Sequence, residues 1–126
     1  AAMACVDYTV DYLKTRKQFG KVIGAFQALK HPTVDAFVDA EGARSLLYAA
    51  ASHCEKQGEG EIVVRMANAK AEGALSYAAD RSIQFHGGFG FTYDCDAQLY
   101  RRKAMFAASQ FGDAAFHRTR LAELLL

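Results

Sequence analysis

Two short clusters in this sequence combine the residue types that bind phosphorylated ligands. In Arg16–Gly20, an arginine precedes Lys17, a glutamine and a Phe-Gly turn. Arg suits a phosphate because its guanidinium is a planar fork of donors. In Gln84–Gly90, a glutamine precedes a glycine-rich break. Backbone without side chains can approach a planar or phosphorylated ligand closely, and its N–H groups can cradle an anion. Each cluster is therefore a candidate ligand contact.

Both clusters also have a purely structural interpretation. Glycines commonly end a helix, because the residue after the last turn often adopts a left-handed conformation. Basic residues near a helix C-terminus complement the helix dipole. Taken one at a time, neither cluster decides between a ligand site and a helix stop.

Other kinds of catalytic site have little support. The four histidines, His31, His53, His86 and His117, lack a Glu three residues earlier, so the pattern of a di-iron bundle is absent. No Ser lies in a Gly-x-Ser-x-Gly turn, as a hydrolase of that type requires. The three cysteines form no Cys-x-x-Cys pair, which favours reduced thiols over a zinc site or a disulfide framework. The sequence predicts no metal site.

Composition and charge narrow the class of protein. With 126 residues, 52% of them hydrophobic, the chain has the size and character of one folded domain. The balance of 15 basic and 14 acidic residues gives no electrostatic reason to expect nucleic acid or an anionic membrane surface as a partner. No apolar stretch approaches the ~18 residues of a membrane span.

The spacing of apolar residues predicts four helical segments and no strand. These run from about Ala2 to Lys17, from Ala25 to Gln57 with a kink or restart at Pro32, from Glu61 to Phe85, and from near Asp94 to Leu126 with a weak point at 111–113. Long helices with short connectors favour an all-α fold, an antiparallel up-and-down four-helix bundle. The first residues look like the middle of a helix rather than a signal peptide.

The two clusters acquire meaning from their order along the chain. The pattern Arg-x-x-Phe-Gly, then an aliphatic residue, then Phe-Gln, is followed much later by Ile-Gln-x-x-Gly-Gly-x-Gly-Phe. This order resembles the C-terminal helical domain of the acyl-CoA dehydrogenase family over essentially the whole chain. The residues that carry the resemblance are Arg16, Phe19, Gly20, Ile23, Phe26, Gln27, Ile83, Gln84, Gly87, Gly88, Gly90 and Phe91.

The resemblance implies an FAD-dependent oxidation of an acyl-CoA thioester to the trans-2-enoyl-CoA. A carboxylate removes a proton beside the carbonyl, and a hydride passes to the flavin. Family members place an amino-terminal helical domain and a middle β-domain before the bundle, and both are absent from this chain. They form tetramers and pass electrons to an electron-transferring flavoprotein. By similarity, residues of both clusters contact the dinucleotide arm of FAD, with the arginine on the pyrophosphate of a neighbouring subunit: Arg16, Gln18, Phe19, Gln27, Gln84, Gly87 and Gly88.

The base of the reaction is where this sequence departs from the family pattern. Counting from Arg102, the position of the family's glutamate falls on Phe111, which cannot accept a proton. Asp113 is one candidate base, on a shifted loop. A base located before Ala1 is another. Asp113 also suits a helix N-cap. The family's Thr and Gln that follow the glycine are replaced by Asp113 and Ala115, which weakens the expected FAD contacts of this loop.

The resemblance therefore predicts an incomplete piece of an enzyme, inactive as a separate fragment. A non-catalytic structural subunit or oligomerisation module of a heteromeric flavoenzyme is the alternative, and a helical interaction domain unrelated to flavin is a third. The expected location is the bacterial cytoplasm or the mitochondrial matrix. His86 is expected to end a helix, and His117 to pair with Asp113 at i,i+4 spacing.

Overall fold

The computed structural model describes all 126 residues as five α-helices, two short 3₁₀ turns and one small hairpin. The helices are α1 (Ala2–Thr15), α2 (Gln27–His53), α3 (Glu59–His86), α4 (Ala97–Ala108) and α5 (Ala114–Leu125), and the 3₁₀ turns are Ile23–Ala25 and Gly87–Phe91. Helical residues make up 80% of the chain, so the all-α prediction is confirmed. The fourth predicted segment is two helices, and the four-helix bundle itself remains a prediction.

Helix α3 is central and packs against each of the other four helices. Its inward positions are small, because Ala67, Ala74, Ala78 and Ala79 are all buried. Small side chains allow neighbouring helices to approach closely. A core cluster joins α1, α2 and α3 through Cys5, Val6, Ala36, Ala78 and Ala79. The buried alanines thus allow α3 to pack closely against the other helices.

The sequence predicted no strand, and this is wrong for the segment after α1, which forms a small hairpin. Lys17–Gln18 (β1) and Lys21–Val22 (β2) pair as antiparallel strands of two residues each. The connecting residues Phe19 and Gly20 both have positive φ, 53° and 79°. Positive φ at both central residues is the requirement of a tight hairpin turn whose twist matches its strands. Strands this short have no alternating pattern to detect, so the sequence gives no periodic signal for them.

The predicted restart at Pro32 does not occur, because α2 runs without interruption from Gln27 to His53. Proline lacks an N–H and usually disturbs a helix interior. Here Pro32 lies in the second turn, near the helix start. The hydroxyl of Thr33 donates to the carbonyl oxygen of Leu29 at 2.7 Å, which adds a local bond beside the proline.

Helix α5 begins with a well-formed cap. The carboxylate of Asp113 accepts a hydrogen bond from the backbone N–H of Phe116 at 2.8 Å. Gly112 adopts a φ of 97°, and a Cβ there would collide with the ring of Phe116. A glycine followed by an Asp N-cap explains why the last predicted segment divides into two helices.

Candidate functional site

A cavity of about 770 Å³ lies between the end of α1, the hairpin, the start of α2 and the end of α3. This volume falls within the roughly 300–1,000 Å³ of small-molecule sites. Most of the lining is apolar, with a few polar groups. The lining residues are Tyr12, Arg16, Gln18, Phe19, Ile23, Phe26, Ala28, Leu29, Phe85, His86, Gly87, Gly88 and Phe89.

The cavity brings together residues of both sequence clusters. Arg16, Gln18 and Phe19 come from the first cluster, and Gly87 and Gly88 come from the second. Gln27 and Gln84 do not line it. Both are exposed, Gln27 at the start of α2 and Gln84 in the last turn of α3, three residues before Gly87. Five of the seven residues predicted to contact the cofactor therefore share one cavity within a single chain.

The guanidinium of Arg16 is free to bind a ligand. Arg16 follows α1 directly and is exposed, and none of the six salt bridges of the chain includes it. Its backbone is fixed on both sides, because its N–H donates to Tyr12 and its carbonyl accepts from Ile23 at 2.8 Å. A firmly placed backbone with an unpaired cationic fork is suited to a phosphate.

Phe19 sits at the tip of the hairpin with an unusual backbone. A positive φ is uncommon for a bulky residue and is a strained conformation. Phe19 is nevertheless 90% exposed, and its only aromatic neighbour is Phe26 at 6.1 Å between ring centroids. A large apolar ring held outwards at a strained position offers a surface for a planar partner.

The glycines at the end of α3 leave room at the cavity. Gly87 ends the helix with a φ of 63°, which favours glycine. A Cβ built on Gly88 would meet nothing within 4 Å, and its φ is not positive. Gly90 differs, because a Cβ there would approach the carbonyl oxygen of Ile83 to 2.5 Å. Gly90 is needed for packing, whereas the chain itself gives no reason for Gly88.

His86 is the last residue of α3, as the sequence predicted. It also forms part of the cavity wall, a position that was not among the predicted cofactor contacts. It is buried, and its ring stacks against the rings of Tyr8 and Tyr12 on α1. Burial lowers the pKa of His86 from its ordinary value of 6.5, so the ring is neutral at pH 7. The sequence alone does not distinguish a histidine that lines a ligand cavity from one that simply ends a helix, because both can precede a glycine-rich break.

Asp113, the candidate base, does not lie at this cavity. No residue of 109–115 lines the cavity. Asp113 is exposed and its carboxylate caps α5, while Phe111 is 79% exposed. A second carboxylate supports this junction, because Glu72 on α3 accepts a hydrogen bond from the N–H of Ala114 at 3.2 Å. The sequence did not predict Glu72, whose helical position gives no signal of a contact 42 residues away.

His117 does not form the predicted pair with Asp113. It is 5% exposed, and neither ring nitrogen has a hydrogen-bond partner. Its ring contacts Phe116 edge-on at 5.4 Å between centroids. No group of three or more His, Cys, Asp or Glu side chains is placed to hold a metal ion. None of the helices combines the length and apolar character required to cross a membrane.

Helical architecture and motif residues agree with the comparisons to known proteins. The family model described as "Acyl-CoA dehydrogenase, C-terminal domain" matches residues 1–126. Acyl-CoA dehydrogenase IpdE2 of Mycolicibacterium smegmatis is 38% identical over 112 residues, which cover 89% of this chain and 34% of that protein. The chain belongs to the acyl-CoA dehydrogenase family, as the C-terminal domain. It spans about a third of the length of the curated relatives it matches first.

Solved structures give the same result. A structure described as an FAD-dependent dehydrogenase superimposes with a TM-score of 0.92 at 26% identity, covering 99% of this chain and 34% of that one. A structure described as "Tcur3481-Tcur3483 steroid ACAD G363A variant" superimposes with a TM-score of 0.91 at 28% identity, covering 98% of this chain and 34% of that one. The resemblance inferred from the motifs is confirmed at the level of the family.

Proposed function

We propose that this chain is the FAD-binding C-terminal domain of an enzyme that oxidises an acyl-CoA thioester to the trans-2-enoyl-CoA. The observation that carries the proposal is the single cavity in which Arg16, Gln18 and Phe19 face Gly87 and Gly88. The sequence separates these two groups by more than 60 residues, and each has a physical reason to contact a dinucleotide. The name and substrate class of the IpdE2 relative support the same reaction.

The residues of the cavity fit a dinucleotide arm on two independent grounds. Arg16 offers an unpaired guanidinium to a phosphate, and Gly88 leaves open space that a side chain would occupy. Gln18 and Phe19 border the same space, while Gln27 and Gln84, which lie outside it, could contact a longer ligand that leaves the cavity. When bound, FAD supplies the acceptor for the hydride. The chain's own residues bind and orient the dinucleotide.

The acyl-CoA pocket and the remaining flavin contacts belong to parts of the protein outside this chain. We therefore propose that the separate domain has no turnover. By the family resemblance, electrons pass to an electron-transferring flavoprotein, and the enzyme works in the bacterial cytoplasm or the mitochondrial matrix. The acyl chain is not specified by any residue of the cavity.

An exposed apolar stripe on α2 supports assembly with further subunits. Val34, Phe37, Val38 and Tyr48 recur at helical spacing and are 45–68% exposed. Exposed apolar side chains grouped on one helix face, here Val34, Phe37 and Val38, are typical of association faces. We propose that copies of the domain, or a homologous subunit, cover it, as in the family's tetramers. Sedimentation of the complete protein should give an oligomer, and Val38→Lys should shift it towards smaller species.

One observation favours a second candidate function, that of a structural subunit in a heteromeric enzyme. Phe111 occupies the place of the family's base, and the carboxylate of Asp113 is engaged in capping α5. The paired name of the Tcur3481-Tcur3483 relative suits a two-component enzyme. In this arrangement the cavity still binds FAD, and the partner subunit contributes the base. A base located before Ala1 is the other explanation.

The experiment that tests the proposed function measures FAD binding by the complete natural protein. Arg16→Ala should raise the Kd for FAD by about tenfold or more, because a charge-assisted hydrogen bond to phosphate contributes roughly 1.5–3 kcal/mol. Arg118→Ala is the matched control, since Arg118 is also exposed and without a salt bridge but lies on α5. Equal affinity of both variants and the wild type would contradict the proposal.

A further inference from the structure

His86 presents one free hydrogen-bonding atom beside the cavity. The residue is 4% exposed, and its ring stacks against Tyr8 and Tyr12, with centroids at 5.0 Å and 4.1 Å. The two tyrosines are one turn apart on α1 and cover the faces of the imidazole. Only the ring edge remains to interact with another group.

The hydrogen bond at one ring nitrogen fixes the role of the other. Nδ1 of His86 lies 2.8 Å from the carbonyl oxygen of Ser82. A carbonyl can only accept, so Nδ1 carries the hydrogen and donates it. In the neutral ring, Nε2 is then an acceptor with an in-plane lone pair. It has no hydrogen-bond partner within the chain, yet it is not among the polar atoms sealed from solvent, and His86 lines the cavity.

We propose that Nε2 of His86 accepts a hydrogen bond from a hydroxyl or amino group of the dinucleotide in this cavity. The inference rests on the proposed function and adds a specific contact to it. A neutral acceptor disfavours a phosphate oxygen, which also only accepts. Arg16 therefore donates hydrogen bonds to the phosphates, whereas His86 accepts one. His86 thereby selects and orients a donor group of the sugar, the polyol chain or the base.

The surroundings of His86 keep this acceptor available at neutral pH. Burial lowers its pKa from 6.5, which favours the neutral ring. The short turn that follows, Gly87–Phe91, carries no titratable side chain. The titratable or charged groups on the other elements near the ring are Tyr8, Tyr12, Arg16, Cys95, which is hydrogen-bonded to Tyr8, and Tyr100, whose ring lies beside Tyr8. Histidine is the side-chain type that changes charge between pH 5 and 8.

The test is a titration of FAD into the apo form of the complete natural protein, followed by flavin fluorescence at pH 7.5. His86→Phe keeps a flat ring between the tyrosines and removes the acceptor. It should raise the Kd for FAD by about two- to tenfold, the effect of losing one neutral hydrogen bond. His86→Gln restores an acceptor and should recover most of the affinity. His53→Phe, at the far end of α2, is the matched control and should leave the Kd unchanged.

Acidification gives a second, independent readout. As the pH falls from 7.5 through the lowered pKa of His86, protonation removes the acceptor, so FAD affinity should fall more steeply for the wild type than for His86→Phe. A wild type whose affinity for FAD rises on acidification, relative to that of His86→Phe, would overturn the inference, since it would place a phosphate against the ring. An unchanged Kd in folded His86→Phe and His86→Gln would also overturn it. Failure of the wild type to bind FAD at all would instead overturn the proposed function, and this inference with it.

Discussion

The cavity beside the hairpin and the junction between α4 and α5 differ in whether their polar groups already have partners. At the cavity, Arg16 has no salt bridge and Nε2 of His86 has no hydrogen bond. At the junction, the carboxylates of Asp113 and Glu72 each accept a backbone N–H of α5. Polar groups left without partners beside an opening are available to a ligand, whereas paired groups stabilise the fold. The difference is the one expected between the proposed binding site and a structural turn.

Gly88→Ala should produce the largest change in FAD affinity. An unchanged affinity would remove the contrast between the cavity and the α4–α5 junction. A Cβ at Gly88 meets nothing in the chain, so only a ligand in the cavity would be displaced. The Kd for FAD should rise by at least about tenfold, a loss of ~1.4 kcal/mol, while the melting temperature stays close to that of the wild type. Gly73→Ala also has open space and is the control. Loss of FAD from both variants, or from neither, would count against the cavity as the site.

Glu72→Ala should destabilise the junction without affecting FAD. The N–H of Ala114, a buried residue, would lose its acceptor, which costs about 1–3 kcal/mol. Denaturant unfolding measures this change. Glu123→Ala, which removes an exposed partner of Arg120, should cost less than about 1 kcal/mol. Because the two regions are separate, a loss of FAD affinity in folded Glu72→Ala would show that they are coupled.

Two substitutions at Asp113 distinguish its role as a helix cap from a role as the catalytic base. Asp113→Ala removes the cap and should lower the free energy of unfolding by ~1 kcal/mol, whereas Asp113→Asn preserves it, because Asn is an equally good N-cap. We expect turnover of the complete enzyme to survive Asp113→Asn. Loss of turnover with FAD retained would identify Asp113 as the base after all.

The smallest effect concerns pH and stability at the cavity. The pKa of His86 is lower in the folded chain than the 6.5 of an exposed histidine, so the unfolded chain binds the proton more tightly. The free energy of unfolding should therefore fall as pH drops below about 6.5 and level off below the folded pKa. His86→Phe should lose this part of the pH dependence. Chemical denaturation of both proteins between pH 7.5 and 5 measures the difference, and parallel curves would argue against a neutral, buried His86.

The sequence singled out the residues that line the cavity better than it predicted the elements that position them. Motif order singled out Arg16 and Gly88, both of which line the cavity, because the signal of each lies within a short stretch of sequence. The hairpin was missed, since two-residue strands lack periodicity and the positive φ of Phe19 goes against its residue type. Glu72 was missed because a contact with Ala114 depends on how α3 and α5 pack. The break before α5 was anticipated from Gly112 and Asp113, whose residue types are informative by themselves.

A structure of the complete natural protein with FAD would show whether the cavity beside the hairpin holds the dinucleotide. We expect the dinucleotide arm in the cavity, with a phosphate at the guanidinium of Arg16 and the ligand in contact with the backbone of Gly88. FAD bound on a surface that touches neither residue would contradict it.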